Sequence, residues 1–320
     1  MVKLDIDLPA ILSAHERIQL HIHRTLVLTS SRLDEVSCAS LFFKCENFQK
    51  IGAFKARGAT NAVFSLDDTT AKRGVATHSS GNHGTAVARA AKLRRIPAHI
   101  VMPSNSAKVK IRAVESYGAR VVFCEPTEKA RETTCADVIS KTGAAMIHSF
   151  ENLDVIAGQG TAAVELLEDV SDLDLVMCPV GGGGLLAGTA VAAKSMRPNI
   201  KVIAAEPSNA DDAAQSFHAG RVIHTEKKFT IADGLRTNVG EPNFAIIKRY
   251  VDDIVTVSEE AIISAMRAIW EIMKIVIEPS AAVPFAAIQE GQIDIAGRRM
   301  GIILTGGNVD LDALPWMVSR

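Results

Sequence analysis

The sequence has few aromatic residues, no paired cysteine motif and no excess of charge of either sign. Aromatic residues make up 5% of the 320 residues, and 35 Lys+Arg against 36 Asp+Glu give a net charge of −1. This balance argues against a nucleic-acid surface or a polybasic membrane patch, and we predict neither partner. Without CxxC or CxxH spacing, the cysteines indicate reduced thiols. They are Cys38, Cys45, Cys124, Cys135 and Cys178.

Long hydrophobic runs are also absent. No stretch reaches the roughly 18 apolar residues that cross a bilayer, and the first ten residues contain no apolar run of signal-peptide length. We therefore predict a soluble, cytoplasmic protein, and we expect no effector domain after Arg320. Hydrophobic residues still make up 48% of the chain. With abundant Ala, Val, Ile and Gly, they suit buried parallel strands packed by helices.

Short apolar segments alternate with helical patterns along the chain. The predicted strands are 98–102, 119–124, 173–180, 200–205 and 299–304, and the predicted helices include 84–93, 107–117, 160–169 and 185–196. This alternation indicates βαβ units and a mostly parallel sheet. Ligands of open α/β sheets bind beyond the carboxyl ends of the strands, so we expect the binding and catalytic residues in the loops at those ends.

The first such loop contains Lys55, which directly follows Phe54. A lysine that enters a helix after an apolar residue can be partly desolvated. Desolvation lowers its pKa and favours the neutral amine that forms a Schiff base. On its own this pattern is weak evidence for a Schiff-base lysine, because a lysine near a helix start is usually a solvated charge.

The second loop, residues 79–84, has the sequence Ser-Ser-Gly-Asn-His-Gly and follows a short strand-like segment. Hydroxyls and backbone N–H groups at a helix N-terminus form an anion site that suits a substrate carboxylate. Asn82 can also hydrogen-bond an aromatic hydroxyl. The alternative is a simple Ser/Asn helix cap. The candidate substrate residues in this loop are Ser79, Ser80, Gly81, Asn82 and His83.

The third loop is a run of four glycines after an apolar strand. Glycines let the backbone curl around a phosphate with its N–H groups pointing inward, helped by the helix dipole. Read from Gly182, the run also fits a loose dinucleotide pattern that ends at Ala187, with Glu206 placed to bind a ribose. A nicotinamide site therefore stays open on this loop alone. The run consists of Gly181, Gly182, Gly183 and Gly184.

The fourth loop begins at Thr305, directly after the last predicted strand. A hydroxyl at a strand end can face a ring nitrogen of a ligand. The alternative is an ordinary turn that terminates the strand.

Together the four loops resemble the fold-type II pyridoxal 5′-phosphate (PLP) enzymes of the serine/threonine dehydratase group. Within this group the sequence is most similar to serine racemase and threo-3-hydroxyaspartate dehydratase. The resemblance covers nearly the whole chain. It includes the segments 43–50 (FKCENFQK), 155–161 (VIAGQGT), 232–234 (ADG) and 306–310 (GGNVD).

The resemblance implies an α/β fold of two open, twisted, mostly parallel sheets with helices on both faces. A large PLP-binding domain would consist of residues 1–49 and 146–320. A small domain, residues 50–145, would close on the substrate. A homodimer and a nucleotide effector are further expectations from the family.

Roles for the loop residues also follow from the resemblance. Lys55 would hold PLP and later act as the base at Cα, with Phe54 beside the cofactor ring and Asn82 at its 3′-oxygen. The four glycines would hold the phosphate. Thr305 would face the pyridine nitrogen, where a neutral hydroxyl stabilises a pyridinium less than an aspartate does. That favours prompt loss of a β-leaving group over transamination.

Three further positions bear on the substrate and the outcome. Ser80 takes the place of the second acid/base of serine racemase; racemisation needs a proton donor on each face, whereas elimination needs only Lys55 and protonation of the departing hydroxyl. Arg131 matches an arginine near the active site of serine racemases and can pair with the second carboxylate of 3-hydroxyaspartate. A solvated helix arginine is the alternative. Phe150 replaces an Asn of mammalian serine racemases and resembles the aromatic residue of the dehydratases.

The segment from Glu206 to Asp212 matches the one that holds a divalent cation in serine racemase. Glu206 and Asp212 would supply carboxylates and Ala210 its carbonyl. Such hard oxygen ligands suit Mg²⁺ or Ca²⁺, with Mn²⁺ as a further candidate. Without the resemblance, acids spaced in this way in a loop are usually surface charges.

The predicted function is a PLP-dependent dehydratase (ammonia-lyase) that acts on L-threo-3-hydroxyaspartate or serine and gives a 2-oxo acid and ammonia. Serine racemase activity, as a side reaction or as the main one, is chemically permitted. A β-replacement enzyme of the cysteine synthase type shares the fold. A nicotinamide oxidoreductase would leave the Lys55 and Ser80 loops unexplained, and a PLP-binding protein without turnover would leave Lys55, Ser80 and Thr305 without a purpose.

Overall fold

The computed structural model describes residues 6–226 and 229–317. The strands in these ranges are β1 (Val27–Leu28), β2 (Ser40–Cys45), β3 (Val75–His78), β4 (Ala98–Pro103), β5 (Arg120–Cys124), β6 (Ala145–Met146), β7 (Leu175–Pro179), β8 (Lys201–Pro207), β9 (Asp253–Val257) and β10 (Arg299–Leu304). They form two sheets, of order β1-β2-β10-β7-β8-β9 and β5-β4-β3-β6. Adjacent strands are parallel except β1 and β2, which confirms the predicted fold class.

Helices cover both sheets. They are α1 (Leu8–Ile18), α2 (Ser31–Ser37), α3 (Lys55–Ser65), α4 (Asp68–Lys72), α5 (Asn82–Arg94), α6 (Lys108–Glu115), α7 (Glu128–Thr142), α8 (Leu153–Asp169), α9 (Gly184–Met196), α10 (Asp212–Ala219), α11 (Glu241–Tyr250), α12 (Glu259–Met273) and α13 (Pro279–Gln289), with short 3-10 helices at Glu46–Phe48, Lys50–Gly52 and Asp233–Leu235. Among the described residues, no helix combines the length and the apolar character needed to cross a membrane.

Alternate side chains of the six-stranded sheet pack on its opposite faces, as the two-residue period of a strand requires. On one face, Phe43 of β2 and Ile302 of β10 pack in a cluster with Phe285 of α13. On the other face, Ile303 of β10 packs in a cluster with Leu186 of α9. The sheet is therefore buried on both sides, which explains why its central strands read as continuous apolar runs.

Each of the five predicted strands is present, as β4, β5, β7, β8 and β10, with ends shifted by no more than two residues from the predicted limits. Strand β2 was missed because Lys44 interrupts its apolar pattern. The side chain of Lys44 is nevertheless fully buried, since it pairs with Glu165 at 2.7 Å. Sequence patterning alone treats a lysine as a surface residue, so it could not anticipate this strand.

Glycines allow three helices to approach each other closely below the site. A Cβ at Gly158 of α8 would lie 2.6 Å from the Cα of Gly58 in α3, and a Cβ at Gly188 of α9 would lie 2.7 Å from the nitrogen of Gly160 in α8. Only a residue without a side chain permits these contacts. They pack α3, which begins at Lys55, and α9, which begins at the glycine run, against the same helix α8.

Candidate active site

A cleft of about 590 Å³ opens beyond the carboxyl ends of β3, β7 and β10. All residues predicted to bind the cofactor or the substrate line it. They are Phe54, Lys55, Ser79, Ser80, Gly81, Asn82, His83, Arg131, Gly181, Gly182, Gly183, Gly184 and Thr305. The predicted metal ligands are not part of this lining. The tertiary structure thus collects in one place four loops that are far apart in the sequence.

A second cleft, of about 650 Å³, lies at the opposite edge of the six-stranded sheet, where Leu175, Lys201 and Asp253 begin their strands. None of the predicted site residues lines it. Ligands of parallel sheets bind at the carboxyl ends of strands rather than at this amino-terminal edge. The cleft at the carboxyl ends of the strands is therefore the candidate active site.

Lys55 is the first residue of α3 and lies half-buried in the cleft. Its Nζ donates a hydrogen bond to the carbonyl of Ser149 at 3.0 Å and lies 5.0 Å from the centre of the Phe54 ring. Burial lowers the pKa of the Lys55 amine to about 8, against a weaker opposing effect from Glu278. The desolvation expected from the sequence is therefore present, and it increases the fraction of neutral, nucleophilic amine.

The loop at residues 79–84 leads from β3 into α5, whose N-cap is Gly81. No side chain of the described residues caps this helix end, although Ser79 Oγ accepts a hydrogen bond from the Gly81 nitrogen at 3.3 Å. The simple Ser/Asn cap is therefore not what this loop forms. Its helix N-terminus faces the cleft and suits an anion such as a carboxylate.

Asn82 is held between two polar side chains from the opposite wall. Its Nδ2 donates to both carboxylate oxygens of Glu278 at 3.1 Å, and its Oδ1 accepts from Asn308 Nδ2 at 2.8 Å. Burial raises the pKa of the Glu278 carboxyl to about 7, although the hydrogen bond from Asn82 opposes this shift. The amide of Asn82 thus has a fixed orientation in the cleft.

The glycine run between β7 and α9 forms a cradle with its backbone. Gly183 has φ +86°, and a Cβ at Gly182 would lie 2.4 Å from the ring of Phe150. Asn243 Nδ2 holds the loop by donating to the Gly182 carbonyl at 2.6 Å. No side chain in the described ranges caps α9, which begins at Gly184. An uncapped helix start, with its N–H groups and helix dipole, suits an anion such as a phosphate.

Thr305 supplies an unpartnered polar atom in the same cleft. Its side chain is 3% exposed, and within the described residues its Oγ1 has no hydrogen-bond partner. Buried hydroxyls are normally hydrogen-bonded, so we expect an atom of a bound ligand to hydrogen-bond with this oxygen. The carbonyl of Thr305 accepts from the Phe54 nitrogen at 3.0 Å, which fixes the strand end beside Lys55. An amine, a phosphate cradle and a lone hydroxyl together fit PLP.

A family model described as "Pyridoxal-phosphate dependent enzyme" matches residues 18–306. The chain belongs to this family of PLP enzymes. Membership of this family favours PLP over a dinucleotide as the ligand of the cleft. In agreement, Glu206 is fully buried and does not line the cleft, so it is not available to a ribose there.

Similar proteins include enzymes with two kinds of activity. The chain is 50% identical over 305 residues to a β-hydroxyaspartate dehydratase of Paracoccus denitrificans, covering 95% of this chain and 97% of the relative. It is 44% identical to an L-threo-3-hydroxyaspartate ammonia-lyase of Saccharomyces cerevisiae, covering 97% and 95%. The crystal structure of serine racemase from Dictyostelium discoideum matches with a TM-score of 0.91 at 50% identity, covering 96% and 99%.

One wall of the cleft of this PLP enzyme carries nitrogen-bearing side chains. The guanidinium of Arg131, on α7, has no hydrogen bond or ion pair with any other described residue. Burial lowers the pKa of His78, and the charge of Arg131 lowers it further. Burial, with His78 and Lys55, lowers the pKa of His148 to about 4. His83 is buried with its Nε2 2.9 Å from the Ile147 carbonyl, and burial lowers its pKa to about 3. Arg131 thus contributes a positive charge to this wall.

The predicted metal ligands lie behind the cleft, around the start of α10. Glu206 is fully buried and accepts hydrogen bonds from the nitrogens of Ala213 and Ala214, at 3.3 and 2.9 Å. Asp212 Oδ2 accepts from the Val239 nitrogen at 2.6 Å. Among the described residues no group of three or more His, Cys, Asp or Glu is arranged to hold a metal. The predicted set of two carboxylates and the carbonyl of Ala210 falls below that size, and the metal site stays a prediction that rests on the oxygen-donor chemistry of these residues.

Sequence reasoning missed Glu278 and the ion pair between Lys110 and Asp233, whose Nζ and Oδ2 lie 3.0 Å apart at the cleft. Glu278 precedes Pro279, the first residue of α13, and nothing around it marks a cleft residue. Its partner Asn82 is 196 residues away. Only a three-dimensional structure reveals such pairs.

Proposed function

We propose that this chain is a PLP-dependent dehydratase that removes water from L-threo-3-hydroxyaspartate or serine and yields a 2-oxo acid and ammonia. The observation that carries the proposal is the half-buried Lys55, with its lowered pKa, in one cleft with the anion-binding loop at residues 79–84. The named activities of relatives at 50% and 44% identity support the substrate class.

Each role in the proposed reaction belongs to a residue of the cleft. When bound, PLP supplies the electron sink for the electron pair left at Cα. The N–H groups at the start of α5 hold the substrate α-carboxylate, and Lys55 removes the Cα proton. The departing hydroxyl accepts the proton that Lys55 took from Cα and leaves as water. Closure of the predicted small domain, residues 50–145, would exclude bulk water during these steps. The enamine that remains tautomerises to an imine, and a water molecule hydrolyses this imine to the 2-oxo acid and ammonia.

We assign the second carboxylate of hydroxyaspartate to Arg131. Its guanidinium lines the cleft, and among the described residues it has no hydrogen-bonding or ionic partner. A planar guanidinium binds a carboxylate through two parallel hydrogen bonds. Serine has no second carboxylate, so Arg131 would favour hydroxyaspartate over serine.

Replacing Arg131 by glutamine is expected to lower kcat/KM for L-threo-3-hydroxyaspartate by about 100-fold, the loss of a charge-assisted bidentate pair. Activity toward serine should change less than about threefold, because serine offers no group for this contact. Steady-state kinetics with both substrates measure the two effects. Lys129→Gln is the matched control, since Lys129 is exposed on the same helix and outside the cleft. Equal losses for both substrates would refute the assignment.

The function itself is tested by turnover of the purified, PLP-loaded protein. L-serine and threo- and erythro-3-hydroxyaspartate would be compared at matched concentrations, scoring 2-oxo acid, ammonia and the enantiomer ratio. Oxo acid and ammonia in equal amounts support the dehydratase. No product from any of these substrates would refute it. Sulfide-dependent product from an activated serine would point instead to β-replacement.

Serine racemisation is the second candidate function. Ser80 lines the cleft in the loop that faces Lys55, and a serine racemase is 50% identical to this chain. Two-base racemisation needs a proton donor on the face opposite Lys55, and we assign that role to Ser80. D-serine formed alongside pyruvate in the same assay would support it; pyruvate alone would leave only the dehydratase.

We further propose a divalent cation, Mg²⁺, Ca²⁺ or Mn²⁺, at Glu206, Asp212 and the Ala210 carbonyl. Saturating Mg²⁺ or Ca²⁺ is expected to raise Tm by roughly 5 °C over chelator-treated protein, because a ligand that binds only the folded state stabilises it. Thermal unfolding with and without cation measures this shift. Glu206→Gln should abolish the shift, whereas Asp211→Asn, next to the proposed ligands, should keep it. An equal shift in both variants would refute the site.

A homodimer and a nucleotide effector remain proposals that rest on the family resemblance alone. A cytoplasmic location remains a proposal that rests on the dispersed, unpaired cysteine pattern. Sedimentation analysis would test the dimer, and turnover with added nucleotide would test the effector.

A further inference from the structure

A cluster of four buried charges lies beneath the start of α3. Arg57 Nε and Nη2 contact the two Glu46 oxygens at 2.7 and 2.8 Å, and Nη1 and Nη2 contact the two Glu165 oxygens at 2.8 and 2.7 Å. Lys44 Nζ lies 2.7 Å from Glu165, and Thr25 Oγ1 donates to Glu46 at 2.6 Å. All four charged side chains are at most 1% exposed.

The cluster contacts α3 on the side of the helix that faces away from the cleft. Arg57 is two residues after Lys55, and at about 100° per residue the two side chains leave the helix roughly 200° apart. Lys55 therefore faces the cleft while Arg57 points into the core. Arg57 also lies within residues 50–145, whereas Glu46 and Glu165 lie outside that range. The contacts thus fasten the first turn of α3 to the elements that carry the six-stranded sheet.

The energetics favour a geometric role for this cluster over a stabilising one. Two cations and two anions make it neutral, and the desolvation of four charges offsets most of their attraction. Replacing buried ion pairs with apolar residues often costs no stability. A guanidinium with two bidentate carboxylates, however, has one allowed orientation. Together with the Phe54 nitrogen bonded to Thr305, it leaves the backbone of Lys55 little freedom.

We propose that Arg57 is the positioning residue for Lys55, holding the first turn of α3 so that the Lys55 amine meets both PLP and the substrate Cα. The part of this inference that concerns the substrate Cα rests on the proposed function, whereas the part that concerns PLP does not. Arg57 acts through the helix and does not line the cleft. No described side chain other than Arg57 joins Glu46 to Glu165 directly.

The test is Arg57→Lys, which keeps the positive charge and removes the planar guanidinium that binds both carboxylates. We expect kcat to fall by about 100-fold, the effect of a misplacement on the order of 1 Å, with KM changed less than about threefold. The fraction of Lys55 trapped by borohydride at stoichiometric PLP, read by peptide mass spectrometry, should also fall. The control is Arg17→Lys, because Arg17 Nη1 contacts Asn61 of the same helix at 2.5 Å, six residues beyond Lys55.

A second variant separates positioning from folding. Arg57→Met combined with Glu46→Leu removes one charge of each sign and leaves Lys44 paired with Glu165. We expect its Tm to stay within a few degrees of the unmodified protein, while trapping at Lys55 and kcat fall as in Arg57→Lys. Normal trapping and kcat in both variants would overturn the proposal.

The failures of the two proposals are distinguishable. If the unmodified protein binds PLP at Lys55 but turns over no substrate, the proposed function fails, and the trapping measurement still tests Arg57. If it turns over substrate and Arg57→Lys matches Arg17→Lys, only the positioning role is overturned.

Discussion

Replacing Lys55 by alanine is expected to lower turnover at least about 1,000-fold, because one side chain provides both the nucleophile that holds the cofactor and the base at Cα. In the structure the amine lies half-buried in the cleft with a pKa lowered to about 8 by burial. The measurement is kcat with L-serine and L-threo-3-hydroxyaspartate at saturating PLP, together with covalent attachment of PLP followed by mass spectrometry.

The control for this prediction is Lys72→Ala, an exposed lysine of α4 outside the cleft. The lowered pKa adds a pH test. Protonation removes the nucleophilic electron pair, so attachment of PLP to the unmodified protein should speed up as pH rises and level off above about pH 8. Activity of Lys55→Ala within tenfold of the unmodified protein would contradict the role given to Lys55.

Gly182→Ala is expected to weaken PLP binding by roughly 10- to 100-fold, the cost of overpacking by one methyl group. The added Cβ would lie 2.4 Å from the Phe150 ring, so either the ring or the glycine loop must move. Movement of the loop turns its N–H groups away from the phosphate. Fluorescence titration of the apoprotein with PLP gives the two dissociation constants.

Two variants check the cause of that loss. A Cβ at Gly81, in the same cleft, meets no atom within 4 Å, so Gly81→Ala should bind PLP as the unmodified protein does. Adding Phe150→Ala to Gly182→Ala removes the obstructing ring and should restore part of the affinity. Unchanged binding in Gly182→Ala would mean that the glycine loop tolerates a side chain and is not the cradle described above.

The sequence by itself determined the fold class and the loops that carry the chemistry. Apolar segments of strand length alternate with helical patterns, and this local signal does not depend on distant partners. Lys55 at a helix start and Gly182 in a glycine run are likewise local patterns. The extent of the small domain remains a prediction, because no linker in the sequence marks its ends.

The tertiary structure decided what surrounds those loops. Asn82 meets Glu278 across 196 residues, and Arg57 meets Glu165 across 108. Local patterning treats Lys44, Arg57 and Glu165 as surface charges, because only the assembled core supplies the opposite charges that make their burial tolerable. The Thr305 hydroxyl, which has no hydrogen-bond partner in the part of the chain that the structure describes, also depends on the tertiary structure, because only the folded chain shows which atoms surround a buried group.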